Sequence, residues 1–219
     1  MWTIVRKDLA IELRTGEMAS SMFLLALLII IVFAFTLEPE RLIAPEFLAG
    51  LSWTTLLVAG TLALNRSFVL EREAGGLTAL ALAPIDRGSI YLGKAIGNFL
   101  LLLIAGLVLL PLIAILLGTR GLSPTWLLPV VVVLGVLGIA AIGTLCAAMA
   151  SRTRAREVLL PILMFPLLAP LLIAATRTTA GALVGESASD LQSWLLMLGG
   201  FDIVFATAGW LSFDFLLDE

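Results

Sequence analysis

Six apolar runs, separated by polar connections, dominate this chain: residues 18–37, 47–64, 95–117, 126–150, 158–176 and 194–213. A helix rising about 1.5 Å per residue needs roughly 20 such residues to cross about 30 Å of hydrocarbon, and these runs are close to that length or longer. Lipid offers no water to backbone groups, so an apolar run of this length has one solution, a helix that satisfies its own N–H and C=O groups. The whole composition agrees: 61% of the 219 residues are hydrophobic and only 13% charged, against about 25% charged in soluble domains. Mean hydropathy is +1.13. The chain therefore reads as an all-α membrane protein with six transmembrane helices. The second run carries Ser52, Thr54, Thr55 and Thr61 and the sixth carries Asp202, still too few polar groups for a water-facing helix.

Six crossings put both termini on one side, and the cations indicate which. Arg6, Lys7 and Arg14, then Arg66, Arg72, Arg87 and Lys94, then Arg152, Arg154 and Arg156 fall on that side, whereas the other connections hold only Arg41, Arg120 and Arg177. The positive-inside rule then places both termini and the polar loop from Phe68 in the cytoplasm. Trp126 and Trp194 open their helices at the outer boundary and Trp210 closes the last at the inner one, as interfacial rings do. The first apolar run is too long for a signal-peptide core of about 7–15 residues, and Glu38-Pro39-Glu40 follows it, so it is expected to be retained.

Residues 1–17 precede the first crossing. Trp2, Val5, Leu9 and Leu13 recur at helical spacing, with Lys7, Asp8, Glu12 and Arg14 off that line, which predicts an amphipathic interfacial helix bent from the first crossing at Thr15-Gly16. The six-helix unit then spans 18–219, with a cytoplasmic connection over 65–94.

Within the crossings the patterns concern packing. Ala140, Thr144 and Ala148, with Gly143 and Ala147 beside them, give the fourth helix a small-residue face for close helix approach, within or between subunits. Pro161, Pro166 and Pro170 predict a kinked or locally unwound fifth helix, either a static bend or a hinge. The connection over 177–193 has room for a short re-entrant or surface helix. Cys146 reads as a small packing residue. Asp202 is the one acid well inside a crossing, where an unpaired charge costs about 2.5–3.5 kcal/mol, so it is expected to face protein or water. It is either a polar point on a path or moving interface, or a protonated acid hydrogen-bonded to Asn98 or a threonine.

Catalytic sets are missing. The chain has no histidine, no GxxxxGK[ST] nucleotide loop, no nucleophile elbow and no second intramembrane acid for Asp202, which leaves an enzyme without its parts and metal without its commonest ligand.

What remains is the long polar loop FVLEREAGGLTALALAPIDRGSIYLGK starting at Phe68. Glu71-Arg72-Glu73 is expected to be solvated, Gly75-Gly76 to turn the chain, Leu77, Leu80 and Ala81 to form one face of a short helix, and Pro84 to end it, with Ser89 capping the third crossing. A short helix held between two crossings can pass on a push from a soluble partner. This arrangement resembles the coupling helix of ABC-2-type permeases. More narrowly, Phe68, Glu71, Gly75 and Leu77 resemble the Phe-x-x-Asp-x-x-Asp-Gly-Ser-Leu motif of the haem exporter protein B family, and 161–176, with its three prolines, has family-like text. Glu71 stands for the first Asp, while Ala74 replaces the second acid and Gly76 the Ser.

The resemblance implies a non-catalytic permease subunit of a cytochrome c maturation complex. Its implied partners are a cytosolic ABC ATPase, a haem-handling membrane protein, indirectly a periplasmic haem chaperone, a second copy of itself in a homodimer, and membrane lipid, with no nucleic acid. Haem is then the transported or passed ligand, with no cofactor bound covalently and ATP bound only by the partner. A generic ABC-2 exporter of lipid, glycan or drug, and a scaffold that only recruits the ATPase, are the other readings.

Overall fold

A computed structural model describes residues 1–36, 44–73, 87–117, 123, 125–151, 153 and 156–217. These residues hold seven helices: α1 (Trp2–Thr15), α2 (Glu17–Thr36), α3 (Pro45–Glu73), α4 (Arg87–Leu117), α5 (Leu127–Ser151), α6 (Arg156–Val184) and α7 (Gln192–Leu217). The last six are long and apolar enough to cross a membrane. The chain is thus an all-α, multi-pass membrane protein.

At the centre lies α5, packed on α3, α4, α6 and α7. Helices in lipid gain nothing from hiding apolar surface from water, so their association depends on close contact, and small residues permit it. Ala140, Gly143, Thr144, Ala147 and Ala148 are all buried, so the predicted small-residue face is an interface within the chain. Leu64 of α3 lies directly on Gly143, and the Trp53 indole lies on Gly135 while its Nε1 donates to Thr179 Oγ1 of α6 at 2.9 Å. Leu171 of α6 and Asp202 of α7 meet at Gly138. Cys146 is buried in the same core. The periphery is formed by α2 and α7, little of whose length is buried.

Several helices run beyond the apolar runs that announced them. α3 continues through Glu73, because Leu, Glu and Arg after Phe68 are good helix formers and a charge does not end a helix. α4 begins at Arg87, so Ser89 lies inside its first turn and is not its cap. α6 continues to Val184, which leaves only 185–191 as connection and no separate surface helix. Pro161, Pro166 and Pro170 all sit inside continuous α6, and Pro111 inside α4. Local unwinding of α6 does not occur, since opening the helix would strand further backbone groups where nothing could bond them.

At the end remote from the termini, the chain before α5 is tied to the end of α6. Ser123 N–H donates to Leu183 O and Thr125 N–H to Ala182 O. The following turn passes through Gly185 at φ 89, a left-handed conformation suited to glycine. Ser187 and Asp190 then bond one another, at 2.6 Å from Oγ to Oδ2, just before α7.

The packing on α5 predicts unequal effects for one chemical change. Gly135→Ala drives a Cβ into the Trp53 ring and should cost about 1–3 kcal/mol, whereas Gly199→Ala on α7 meets open space and should be neutral or slightly stabilising. Thermal unfolding of both variants in the same detergent compares them.

Candidate functional site

The centre of the predicted coupling loop, with Gly75, Gly76, Leu77, Leu80 and Pro84, lies outside the described residues. Its two supports are described. Phe68, Glu71, Arg72 and Glu73 belong to the last two turns of α3, so they are helix where a solvated loop is expected. The other support is the first part of α4, and it is held from several sides.

On one side α7 and α5 grip it. The Trp210 indole lies against Gly88. Buried Tyr91 packs on Gly209 and on the Phe213 ring, 5.6 Å between centroids, and its hydroxyl donates to Ala141 O of α5 at 3.1 Å. Two turns further along, Asn98 Nδ2 donates to Thr144 Oγ1 at 2.9 Å. The end of α7 and the start of α4 thus meet, which places both terminal segments at the loop-bearing end of the bundle.

On the other side lies α1. Gly93 and Gly97 leave a shallow groove in α4 that Ile4 and Asp8 occupy. Between them Lys94 Nζ stands 3.0 Å from Asp8 Oδ2, with the two side chains only 3% and 15% exposed. Asp8 also lies 3.4 Å from Lys7. A cation this deeply enclosed needs its acid, because removing one partner strands a charge out of water. The lysine that the apolar runs place at a crossing's edge is therefore the point where α1 is fastened.

The turn from α1 into α2 is built with equal definition. Gly16 adopts φ 61 and donates its N–H to Glu12 O, as a left-handed helix cap does. The Glu12 side chain reaches forward, and its Oε1 accepts the N–H of Ala19 at 2.7 Å. One of the unpaired donors at the start of α2 is thereby satisfied, by an acid placed at the positive end of the helix dipole. Glu17 pairs with Arg66 of α3 at 3.1 Å, an exposed contact of little energetic weight.

The expected bend at Thr15-Gly16 is present, but the division of α1 into apolar and polar faces is revised. Asp8 and Glu12 point inward with Ile4 and Val5, while Trp2 and Leu13 are exposed. Gly93 and Gly97 at helical spacing were the available signal for this groove; the pairing of Asp8 with Lys94 had none, because the partners are far apart in the chain.

Asp202 is 4% exposed, and a Cβ on Gly138 would stand 2.7 Å from its Oδ1. Neither carboxyl oxygen has a hydrogen-bond partner among the described residues. The expected bond to Asn98 or a threonine is not formed; Asn98 gives its amide to Thr144 instead. No cluster of three potential metal ligands occurs among the described residues.

Comparison with known proteins follows this geometry. The family model described as CcmB protein matches residues 1–214. The chain is 30% identical over 173 residues to heme exporter protein B of Rhodobacter capsulatus, covering 79% of each chain. It is 28% identical over 186 residues to heme exporter protein B of Paracoccus denitrificans, covering 83% of this chain and 85% of that one. With heme exporter protein B of Pseudomonas aeruginosa it shares 27% identity over 188 residues, covering 84% and 82%.

The enclosed ion pair predicts a non-additive mutant series. Asp8→Asn, which takes one carboxylate from the enclosed Lys94, should destabilise the chain by about 1–3 kcal/mol. Asp8→Asn combined with Lys94→Met should recover much of that loss. A double-mutant cycle by thermal or denaturant unfolding measures the coupling, and additive losses would show that the pair is not formed.

Proposed function

This chain belongs to the CcmB family, and we propose that it is the membrane subunit of an ATP-driven haem exporter of cytochrome c maturation, coupling ATP hydrolysis in a separate chain to haem delivery or to release of the haem-loaded periplasmic chaperone. The observation that carries this reading is the match over residues 1–214, which runs through the loop and both of its supporting helices. The relatives' shared name supplies the haem.

In this reading both termini and the loop face the cytoplasm, in keeping with the cation bias, and the ATPase docks on the loop through Leu77 and Leu80, rimmed by Glu71 and Glu73. A push delivered there has a defined route. The start of α4 is bonded to α1 by an ion pair, to α5 by Tyr91 and Asn98, and packed on α7 by Trp210 and Phe213, so it cannot shift without moving its neighbours. The chain itself is non-catalytic and works as a two-fold pair beneath two nucleotide-binding subunits. It associates with a haem-handling membrane protein that supplies the haem ligands.

Asp202 fits a moving interface better than a fixed bond. A buried polar group normally has a partner in the arrangement it stabilises, and this one has none among the described residues where α5, α6 and α7 meet.

Two experiments test the assignment. Loss of the chain should abolish c-type cytochromes while leaving lipid and glycan export intact; the reverse pattern would make it a generic exporter. Leu77→Asp should leave the chain in the membrane but cut co-purification of the ATPase, an interface loss of about 2 kcal/mol or more. Undiminished co-purification would remove the loop from the docking site. For Asp202, the Leu variant should impair cytochrome maturation at normal protein abundance, with Asn milder. Equal, severe loss for both would show instead that a titrating carboxylate is required.

A further inference from the structure

The outward side of α1 carries a surface that the ATPase reading does not use. By composition α1 is mixed, with Arg6, Lys7 and Arg14 against Asp8 and Glu12. The structure separates the two signs. Asp8 is turned to Lys94, and Glu12 to the first N–H groups of α2. Arg6, Lys7 and Arg14 are all exposed. Lys7 still lies near Asp8, so Arg6 and Arg14 carry most of the outward charge.

Around the helix axis, at about 100° per residue, three strips follow in order. First comes the docked strip of Ile4, Asp8, Glu12 and Val5. Next come Leu9, Trp2 and Leu13, the last two 64% and 87% exposed. Arg6, Arg14 and Lys7 follow, with Thr3 and Ala10 among them, and Ile11 closes the turn beside the docked strip. An apolar strip therefore lies between the face held by the protein and the cationic face. That order suits a helix at the edge of a bilayer, with one side against the bundle, the next in acyl chains and the third among headgroups. Gly16 alone separates α1 from α2, a membrane-crossing helix, which keeps α1 at the membrane.

We propose that the Arg6–Arg14 face of α1 binds the headgroups of anionic phospholipid. Guanidinium groups match phosphate oxygens in geometry and charge. The inward use of Asp8 and Glu12 removes the acids that would otherwise repel such headgroups. Trp2 and Leu13 set the depth at which the arginines meet them.

The test uses the full-length chain in detergent, equilibrated with equal amounts of phosphatidylglycerol and phosphatidylcholine, with retained lipid counted by native mass spectrometry. Wild type should retain phosphatidylglycerol over phosphatidylcholine by on the order of tenfold, each cation near a surface contributing about fivefold. Arg6→Gln with Arg14→Gln should bring the ratio close to parity, while Arg6→Lys with Arg14→Lys should keep the preference. Equal retention of the two lipids by wild type would overturn the proposal, as would an unchanged preference in the Gln pair. Loss in the Lys pair as complete as in the Gln pair would also overturn it, because charge would not be what binds. If the Gln pair kept its lipid preference but released a partner protein, the cationic face would meet an acidic protein surface and the lipid assignment would fail.

Discussion

Close approach of helices at α5 is the contact on which the rest of the bundle depends. In lipid the alternative to a helix–helix contact is a helix–lipid contact of similar apolarity, so the protein must win by fit. Glycines at 135, 138 and 143 create that fit by admitting Trp53, Leu171 with Asp202, and Leu64 from three different helices. Polar pairs then fix the register: Trp53 with Thr179, Tyr91 with Ala141 O, and Asn98 with Thr144. Each satisfies a group that lipid could not, so sliding one helix past another would break bonds with no replacement nearby.

The start of α4 inherits this rigidity and adds contacts of its own. It touches α1, α5 and α7 within a few turns while also supporting the loop. The ion pair with Asp8 and the Tyr91 hydroxyl hold neighbouring parts of the same helix, about one turn apart. A displacement there is therefore shared among elements at the loop-bearing end, and α5 extends the path into the middle of the bundle.

Lipid makes some of this architecture readable from residues alone and hides other parts. The number of crossings follows from apolar length, and the small-residue face of α5 from spacing. Helix ends are less readable, because hydropathy marks where lipid stops and not where hydrogen bonding stops; α3 continues through Glu71-Arg72-Glu73, all good helix formers. The prolines of α6 do not unwind it for a related reason, since a continuous helix strands fewer backbone groups in lipid than an unwound one. In α1, Asp8 and Glu12 have the character of water-facing residues, and only partners supplied by other helices turn them inward. Asp202 stands out in the sequence as an isolated intramembrane acid, but Gly138 opposite it does not, because a glycine's role depends on what approaches it.

The fastening of α1 to α4 also has a meaning in time. The Glu12 corner joins α1 to α2 from segments adjacent in sequence, but the groove between Gly93 and Gly97 belongs to a later helix. At about 5–20 residues per second, a ribosome needs on the order of ten seconds to pass from α1 to that groove. Through that interval Asp8 has no Lys94 to meet, and the inner strip of α1 has only the Glu12 corner with α2 to hold it. Helix α1 therefore completes its tertiary contacts only once the third crossing exists, and faulty insertion of α4 would leave its mark on a helix made well before it.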